Sequence, residues 1–222
     1  MVEAIKAAAR QQMAAEGTAA ISLRGIARDL GVTAPALYRY FADRDDLITD
    51  LLLDAFNALA DAMIAAEAAP PRDHYAERLI GVMTAYRDWA LEHPTDFQLI
   101  YGNPIPGYVA PSEKTIPAAT RAFDSVVSAL GDALAASILK PPFPPDDVPS
   151  QITDALAGVA ANEQYPYPPI VLYLAVYGWT RIHGMVILEL LDDTQPIVGD
   201  TAAFFQLEIR RLCAEVNLYP KS

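Results

Sequence analysis

Apolar residues recur every three to four positions along most of the chain, and this spacing predicts α-helices. In the first such segment, from Val2 to Glu16, Ile5 and Met13 fall on one stripe, and Gly17 follows as a stop signal. No run of alternating β-branched residues indicates a strand. The pattern therefore predicts an all-α fold of about nine to ten helices.

Helix ends are marked by capping residues and by breaks rich in proline. Ser22, Thr33 and Asp43 stand where N-caps are expected. A Pro-Pro pair at 70–71 and a proline-rich stretch at 141–150 interrupt the later helices. The helices predicted after the first one are 23–30, 34–41, 44–67, 73–92, 95–101, 115–139, 150–163, 169–192 and 200–217.

The segment from Ile21 to Ile48 joins two short helices through a glycine-containing turn, and its second helix is basic and rich in tyrosine. Helix-turn-helix proteins place such a second helix in the DNA major groove. The spacing lets apolar side chains of the first three helices pack together: Ile5, Ala9, Leu23, Ile26, Ala27, Leu30, Val32, Leu37 and Phe41. The pattern favours a DNA-binding head, although a helical subdomain without DNA contacts has the same spacing.

The side chains left on the outside of the third helix suit contact with DNA. Thr33 and the tyrosine hydroxyls can bond phosphates, and Arg39 can reach a phosphate or a guanine edge. Pro35 and Ala36 can meet a thymine methyl, and the start of the second helix offers free N–H groups to a phosphate. The candidate DNA-binding residues are Ser22, Arg24, Thr33, Pro35, Ala36, Tyr38, Arg39, Tyr40 and Arg44.

Several motifs follow one another within residues 2–50. After the Glu-Gly that ends the first helix come S-x-R-x-I-A-x-x-L-G-V-T from Ser22, A-L-Y-R-Y-F from Ala36 and R-x-x-L from Arg44. Together they resemble the TetR/AcrR family of bacterial one-component repressors. The resemblance implies that the nine candidates touch DNA and that Leu37 and Phe41 are core residues. It also implies a homodimer on a palindromic operator, released when a ligand moves the fourth helix like a lever.

The charge is unevenly distributed along the chain. The net charge is −12, yet residues 1–47 hold six basic and six acidic side chains, so the whole excess lies in residues 48–222. An acidic body can orient a neutral head toward DNA, although acidic surfaces also simply keep proteins soluble. Many relatives carry a basic arm before the first helix, which this sequence does not show. We therefore expect a modest salt dependence, with fewer than about eight ion contacts per dimer.

The helix predicted at 169–192 is apolar around nearly its whole circumference, so a partner is expected to cover one side of it. Together with the last helix it suits an isologous four-helix interface, while a monomer with a thick core is the alternative. The stretch from Trp179 to Gly184 resembles the Trp-His-Gly signature of one TetR subfamily, in which Gly184 allows close helix approach. The candidate interface residues are Trp179, His183, Val186, Phe205, Ile209 and Leu212.

A ligand pocket is expected between helices 4 to 7 and the first part of helix 169–192. Its large apolar and aromatic candidates are Met83, Tyr86, Trp89, Phe97, Tyr101, Phe123, Val127, Tyr173 and Tyr177. As a set they favour a hydrophobic or aromatic effector, although each residue alone suits a core position equally well. His183 is either a ligand- or pH-sensing residue or a packed histidine with satisfied hydrogen bonds.

Two other classes of function compete with a regulator. An enzyme is disfavoured because the three histidines are far apart and no phosphate loop or nucleophile elbow occurs, so no catalytic residue is predicted. The second rival is a helical dimeric adaptor without sequence-specific DNA binding. The sequence favours two domains, a DNA-binding domain at 1–46 and a ligand-binding and dimerisation domain at 47–222.

Few further constraints come from composition. The single cysteine, Cys213, excludes an intramolecular disulfide and a cysteine-rich metal site and fits a reducing cytoplasm. The N-terminal segment is interrupted by charges, unlike a signal peptide. Charged residues within 169–192 favour a protein helix over a membrane span. We therefore expect a cytoplasmic protein with no cofactor, no metal and no membrane partner, binding double-stranded DNA and a small molecule.

Overall fold

The computed structural model describes residues 1–219, and within them the fold is all-helical. Two short 3₁₀ turns, Thr18–Ala20 and Pro145–Asp147, accompany the α-helices. The α-helices are α1 Val2–Glu16, α2 Leu23–Asp29, α3 Ala34–Leu37, α4 Arg44–Ala68, α5 Tyr75–Glu92, α6 Pro94–Tyr101, α7 Ser112–Ala135, α8 Ser150–Asn162, α9 Pro169–Leu190, α10 Gln195–Val198 and α11 Thr201–Glu215.

The predicted fold class is confirmed, and most predicted helices differ from the observed ones by only a few residues at their ends. The main difference is α3, which ends at Leu37 rather than Phe41. Its last turn tightens, because the Tyr40 amide donates to the Leu37 carbonyl at 2.8 Å, an i to i−3 bond. The four-residue α10 was not predicted, since it is too short to carry a periodic pattern.

The chain forms two compact units that are not contiguous in sequence. Unit 1 comprises Met1–Leu59 and Ala90–Arg121; unit 2 comprises Ala60–Trp89 and the described part of Ala122–Ser222. The domain boundary after residue 46 stays a prediction, and the two compact units divide the chain at other positions. Helix α4 contributes residues to both units.

The core of unit 1 is built around α1, α2 and α3. The apolar residues predicted to pack together there are all buried or packed against that core, and residues of α4 and α6 join them. The additional buried members from α4, α6 and the loop after α6 are Leu47, Ile48, Leu51, Leu52, Leu99 and Ile105, and Ala8, Met13 and Ile21 complete the cluster. The helix-turn-helix therefore packs on the first half of α4 rather than standing alone.

Unit 2 contains a buried ionic cluster around Arg78, whose side chain is fully buried. Its guanidinium hydrogen-bonds Glu67, donates to Asp132 at 2.7 Å and donates to the carbonyl oxygen of Arg72 at 2.8 Å. Tyr167 donates to the other oxygen of Asp132 at 2.9 Å. A buried charge is tolerated only when it is paired, and the partners of Arg78 come from different elements. The cluster therefore joins α4, α5, α7 and the segment before α9.

Helix α9 is long and apolar enough to cross a membrane by length and composition alone. Two of its charged residues form ion pairs within unit 2: Arg181 with Glu215 at 2.7 Å and Glu189 with Arg87 at 2.5 Å. Because these partners lie on α5 and α11, α9 packs as one helix of the helical unit 2 rather than standing apart from it. Only 33% of its most apolar window is buried, so much of its apolar surface faces outward.

Candidate DNA-binding site and ligand cavities

The turn between α2 and α3 is held by local backbone and side-chain bonds. Ser22 caps α2, because its hydroxyl accepts a hydrogen bond from the Gly25 amide at 3.3 Å. At the other end Gly31 has a φ of 66°, and the Val32 amide donates to the Ala27 carbonyl at 2.9 Å. Glycine suits this left-handed position, which reverses the chain into α3.

The start of α4 is fixed by reciprocal caps. The Asp43 carboxylate accepts from the Asp46 amide at 2.8 Å, and the Asp46 carboxylate accepts from the Ala42 amide at 3.1 Å. Arg44 donates to the carbonyl oxygens of Ile21 and Ala19, both at 3.1 Å. The predicted cap at Asp43 is confirmed, and Arg44 ties α4 to the segment before α2 as well as being a candidate for DNA contact.

The other DNA-binding candidates lie on the surface of the same segment. Tyr38 and Tyr40 are 48% and 47% exposed although they are large aromatic residues. Arg24 and Arg39 are exposed and make no ion pair within residues 1–219. Ser22, Thr33 and Pro35 are exposed and Ala36 is half-buried. Thr33 makes no side-chain cap to α3, which leaves its hydroxyl available to a phosphate.

Two basic residues of the head are bound internally, which the sequence reading missed. Lys6 is buried and pairs with Asp50 at 2.7 Å and Asp54 at 2.8 Å. Arg10 donates from Nε to both oxygens of Asp96, at 2.9 and 3.0 Å. These carboxylates raise the pKa of Lys6 despite the opposing effect of its burial. Lys6 and Arg10 fasten α1 to α4 and α6, and their charges are not free for phosphates.

Unit 2 encloses an apolar cavity of about 60 Å³. Three of the predicted ligand residues, Met83, Tyr86 and Tyr177, line it. The remaining lining residues are also mainly apolar: Met63, Leu79, Val82, Val126, Leu130, Leu174, Ala175, Gly178, Trp179, Ile182, Leu212 and Val216. This volume holds only one or two water-sized groups, so a drug-sized ligand would have to enlarge the cavity.

The other predicted ligand residues lie elsewhere. Phe97 and Tyr101 belong to unit 1, where their rings contact each other at 5.1 Å between centroids. In unit 2, Trp89 and Val127 are buried core residues, and Tyr173 packs edge-on against Phe143. Phe123 is half-buried and does not line the cavity. The structure thus brings together a third of the predicted set, because aromatic residues at helical spacing serve packing and pockets alike.

The two tyrosine hydroxyls of this cavity already have partners. Tyr86 hydrogen-bonds Nδ1 of His183 at 2.7 Å, and desolvation lowers the pKa of His183, which favours the neutral imidazole. Tyr177 donates to Glu215 at 3.0 Å, and the same carboxylate pairs with Arg181. Among the described residues, none of the lining side chains carries a formal charge at neutral pH. The cavity therefore suits an uncharged ligand.

A second, larger cavity lies in unit 1, with a volume of about 380 Å³. It is open on one side and is formed by α4, α6, the loop after α6 and the start of α7. It lies in the region between helices 4 and 7 where the sequence predicts a pocket, but none of the predicted ligand residues lines it, because the loop residues of its wall carry no periodic pattern. Its lining residues are Leu52, Phe56, Leu99, Ile100, Gly102, Asn103, Pro104, Ile105, Tyr108, Ala110, Thr115, Ile116 and Ala119.

Most of the predicted dimer residues face into their own chain. Val186, Phe205, Ile209 and Leu212 are at most 7% exposed, so this stripe packs inside unit 2 and a partner could not reach it. The prediction needs correction here, because an apolar stripe does not by itself distinguish the core from an interface. Trp179 is 38% exposed and His183 is half-buried, with their rings 5.2 Å apart.

The outer face of α9 and α11 carries a different apolar set. Its exposed large members are Val176 and Leu188 on α9 and Leu207 on α11. Trp179 lies on the opposite side of α9 from Leu188, because nine residues span two and a half helical turns. Gly184 lies on α9, and apart from the backbone of its own helix no atom of residues 1–219 would lie within 4 Å of a Cβ placed there. No other helix among these residues approaches α9 closely at Gly184.

Within residues 1–219 no group of three or more His, Cys, Asp or Glu side chains could hold a metal ion. Burial raises the pKa of the Cys213 thiol to about 12, so this cysteine is a poor ligand and a poor nucleophile at neutral pH.

Two family models match the chain. Residues 5–51 match the model described as bacterial regulatory proteins, tetR family. Residues 79–212 match the model described as tetracyclin repressor-like, C-terminal domain. The first match covers the helix-turn-helix and its support on α4, and the second covers most of unit 2.

Named relatives agree with these matches. The HTH-type transcriptional regulators Rv1816 of Mycobacterium tuberculosis and Mb1846 of Mycobacterium bovis are each 34% identical over 208 residues, covering 92% of this chain and 87% of theirs. The crystal structure of the candidate regulatory protein SCO4313 is 33% identical, with a TM-score of 0.77, covering 96% of this chain and 95% of that one. A TetR family transcription regulator from Marinobacter aquaeolei shares the fold at 18% identity and a TM-score of 0.64, covering 97% of this chain and 94% of that one.

Proposed function

Because the chain belongs to the tetR family of bacterial regulatory proteins, we propose that it is a repressor that binds a palindromic operator as a homodimer and is released by a small apolar effector. Family membership makes it a transcriptional regulator with a helix-turn-helix DNA-binding domain, and such regulators are not enzymes. Repression, the dimer and the effector are the proposed parts. The proposed compartment is the cytoplasm, where bacterial DNA lies.

The observation that carries the DNA-binding proposal is the exposure of Arg39, Tyr38 and Tyr40 on a segment whose ends are both fixed. The caps at Ser22 and Asp43 and the buried Leu37 restrict α3 before DNA arrives. A preorganised surface loses little conformational entropy on binding, so its side chains can contribute their full interaction to affinity. Arg24 and Arg39 provide the unpaired positive charge for phosphates or guanine edges.

The proposed homodimer uses the outer face of α9 and α11. Val176 and Leu188 of α9 and Leu207 of α11 are large exposed apolar groups in the single chain, and exposure of apolar surface to water is unfavourable. The open space at Gly184 would let a second copy approach α9 closely. A dimer is also what places two recognition helices about one DNA turn, roughly 34 Å, apart.

A matched pair of glycine variants tests this interface. We expect Gly184→Trp to convert the dimer to a monomer in light scattering, because the new side chain fills the space assigned to the partner. Gly158→Trp on α8 is the control, since its Cβ position is equally open. A wild-type monomer at micromolar concentration, or a Gly184→Trp protein that stays dimeric, would refute the proposed face.

The proposed effector occupies the cavity of unit 2 after enlarging it. The nearly uncharged, apolar wall favours a hydrophobic or aromatic molecule. Met63 of this wall and Leu51 of the helix-turn-helix core both lie on α4. Expansion of the cavity at Met63 can therefore shift the part of α4 that carries Leu51. The effector weakens DNA binding only to the extent that it prefers the expanded state.

Selection of genomic fragments tests the proposal as a whole. Purified wild-type protein should enrich a palindromic site, whereas an Arg39→Ala/Tyr40→Ala variant should not. Arg28→Ala is the matched control, because Arg28 is exposed but is not among the DNA-binding candidates. If wild type enriches no site after extraction has removed any bound ligand, the adaptor without sequence-specific DNA binding is favoured. If Arg28→Ala loses enrichment as completely as Arg39→Ala/Tyr40→Ala, the assigned DNA contacts are contradicted.

A further inference from the structure

We infer that Gln12 of α1 is a positioning residue for the DNA-binding surface. Its side-chain amide bonds to Ser22 and Asp29, an arrangement called here the Gln12 clamp, and holds α2 at a fixed rotation against α1. The clamp thereby places Arg24 of α2. The candidates predicted from the sequence do not include Gln12, because it lies on α1, before the helix-turn-helix. The inference rests on the proposed DNA contact of Arg24, while the clamp itself is testable without DNA.

The Gln12 amide makes one hydrogen bond to each end of α2. Its Oε1 accepts from the Ser22 amide at 3.1 Å, and its Nε2 donates to Oδ2 of Asp29 at 3.1 Å. Ser22 is the N-cap of α2 and Asp29 is its last residue. A glutamine amide carries an acceptor and a donor side by side, and only one orientation fits an N–H on one side and a carboxylate on the other. One side chain of α1 thus joins both ends of α2.

Gly25 of α2 leaves the space that this amide occupies. A Cβ placed on Gly25 would lie 2.7 Å from Nε2 of Gln12, which is closer than Cβ contacts in proteins. Gly25 lies inside a helix with an ordinary backbone, so no left-handed conformation requires glycine there. Glycine is unfavourable relative to alanine at such a position. Room for the Gln12 amide is therefore what glycine provides in α2.

The clamp adds a direction that apolar packing lacks. Leu23, Ile26 and Ala27 bury the inner face of α2 in the core of unit 1, but the hydrophobic effect is non-directional. Hydrogen bonds weaken steeply as they depart from linear geometry, so the clamp restricts rotation of α2 about its own axis. Arg24 is exposed on this two-turn helix, and rotation would move its side chain relative to α3.

The clamp is expected to affect DNA binding more than stability. Both of its hydrogen bonds are exposed to solvent, where water replaces a lost partner, so breaking them should change the free energy of unfolding little. A loosely held α2 must instead be ordered when DNA binds, and the lost entropy opposes binding. In the proposed dimer this ordering occurs twice.

Two variants break the clamp from opposite sides. Gln12→Ala removes the amide, and Gly25→Ala displaces it because the new Cβ needs the position of Nε2. We expect each variant to weaken operator binding about tenfold in fluorescence anisotropy. Gln11→Ala is the matched control, because Gln11 is the exposed neighbour of Gln12 on the same helix, and it should bind as wild type does.

The melting temperature separates positioning from a role in the fold. Alanine is a better helix former than glycine, so Gly25→Ala should melt at the wild-type temperature or higher while it binds operator more weakly. Gln12→Ala/Gly25→Ala should bind no more weakly than Gln12→Ala alone, because both changes remove the same clamp. Wild-type operator affinity in Gly25→Ala, or losses that multiply in the double variant, would overturn the inference.

A swap of polarity should restore the clamp. In Gln12→Glu/Asp29→Asn the carboxylate on α1 can accept from the Ser22 amide and from the new side-chain amide at the end of α2, and the net charge is unchanged. This protein should bind operator nearly as wild type does. Gln12→Glu alone should bind weakly, because two carboxylates would then repel each other. A swapped protein as weak as Gln12→Ala would overturn the role of these two bonds.

Amide hydrogen exchange at Ser22, measured by NMR without DNA, distinguishes the clamp from the proposed function. Exchange should be at least about fivefold faster in Gln12→Ala than in wild type and unchanged in Gln11→Ala. If exchange responds in this way but wild type selects no operator, the proposed function and the DNA role of Gln12 are refuted and the clamp stands. Unchanged exchange in Gln12→Ala overturns the clamp even where an operator is found.

Discussion

Two arginines of unit 1 and three of unit 2 have opposite environments. In unit 1, Arg24 and Arg39 are exposed and form no ion pair within the described chain. In unit 2, Arg78, Arg87 and Arg181 pair with carboxylates from other helices, and Arg78 is fully buried. The same residue type is therefore left unpaired on the surface at Arg24 and Arg39, and it joins helices at Arg78, Arg87 and Arg181.

For Arg78 and Arg87, whose side chains are 0% and 12% exposed, the physical cause of the pairing is burial. An arginine removed from water must be paired, because an unpaired buried charge costs several kcal/mol. An exposed arginine without a carboxylate neighbour remains solvated and can exchange that water for a phosphate. Unpaired exposure on a rigid segment thus indicates a binding role, whereas pairing inside a cluster indicates a structural one.

The largest effect is expected at the buried cluster. Arg78→Met should lower the free energy of unfolding by about 3–5 kcal/mol, because it removes the buried cation that pairs with Glu67 and Asp132 and leaves them only the exposed Arg72 as a cationic partner. Arg72→Met is the control; its side chain is 61% exposed, so a loss below about 1 kcal/mol is expected. Chemical denaturation measures both, and similar losses would erase the contrast between buried and exposed arginines.

The next effect distinguishes an arginine proposed to contact DNA from an arginine that also makes hydrogen bonds within unit 1. Arg39→Ala should weaken operator binding by about 1–3 kcal/mol without lowering the melting temperature, as expected for a base or phosphate contact. Arg44→Ala should lower both the operator affinity and the melting temperature, because Arg44 also donates to the Ile21 and Ala19 carbonyls. Fluorescence anisotropy with operator DNA and thermal unfolding distinguish them. A destabilised Arg39→Ala protein would show that Arg39 has an internal role.

A smaller effect is expected from acid. Burial opposes ionisation of Asp132, but hydrogen bonds from Arg78 and Tyr167 outweigh it and lower the pKa of this carboxyl. A folded-state pKa below the unfolded value contributes stability above the unfolded pKa, and this stability is lost as the pH falls through the folded pKa. Wild type should therefore lose stability below about pH 4. Asp132→Asn should be less stable at pH 7 and show a flatter acid decline in urea denaturation.

The smallest effect concerns salt. With Lys6 and Arg10 bound internally, few cations remain for phosphates, so the slope of log K against log salt should be shallower than about −7, the value for roughly eight contacts per dimer. Arg24→Ala should reduce the slope by about two, since a dimer loses two contacts. Binding isotherms from low to moderate salt give both values; a steeper wild-type slope would mean that further cations reach the DNA.

The sequence predicted well wherever the information is local. Ser22, Gly31 and Asp43 define the turn and caps of the helix-turn-helix through bonds that span at most a few residues. The buried face of α1 to α3 follows from helical spacing, so Leu37 and Phe41 were placed correctly. The same reasoning misassigned Phe205 and Ile209 to a partner, because periodicity identifies an apolar face but not what covers it.

By itself, the sequence determined the all-helical class, most helix bounds, the family and the outward-facing residues of the third helix, because capping and periodicity act between near neighbours. Only the tertiary structure decided which charges are free. It paired Lys6 with Asp50 and Arg78 with Asp132, and it formed the apolar cavity of unit 2 and the open cavity of unit 1. Such pairs and cavities depend on distances between residues far apart in sequence, which packing sets and which no local pattern encodes.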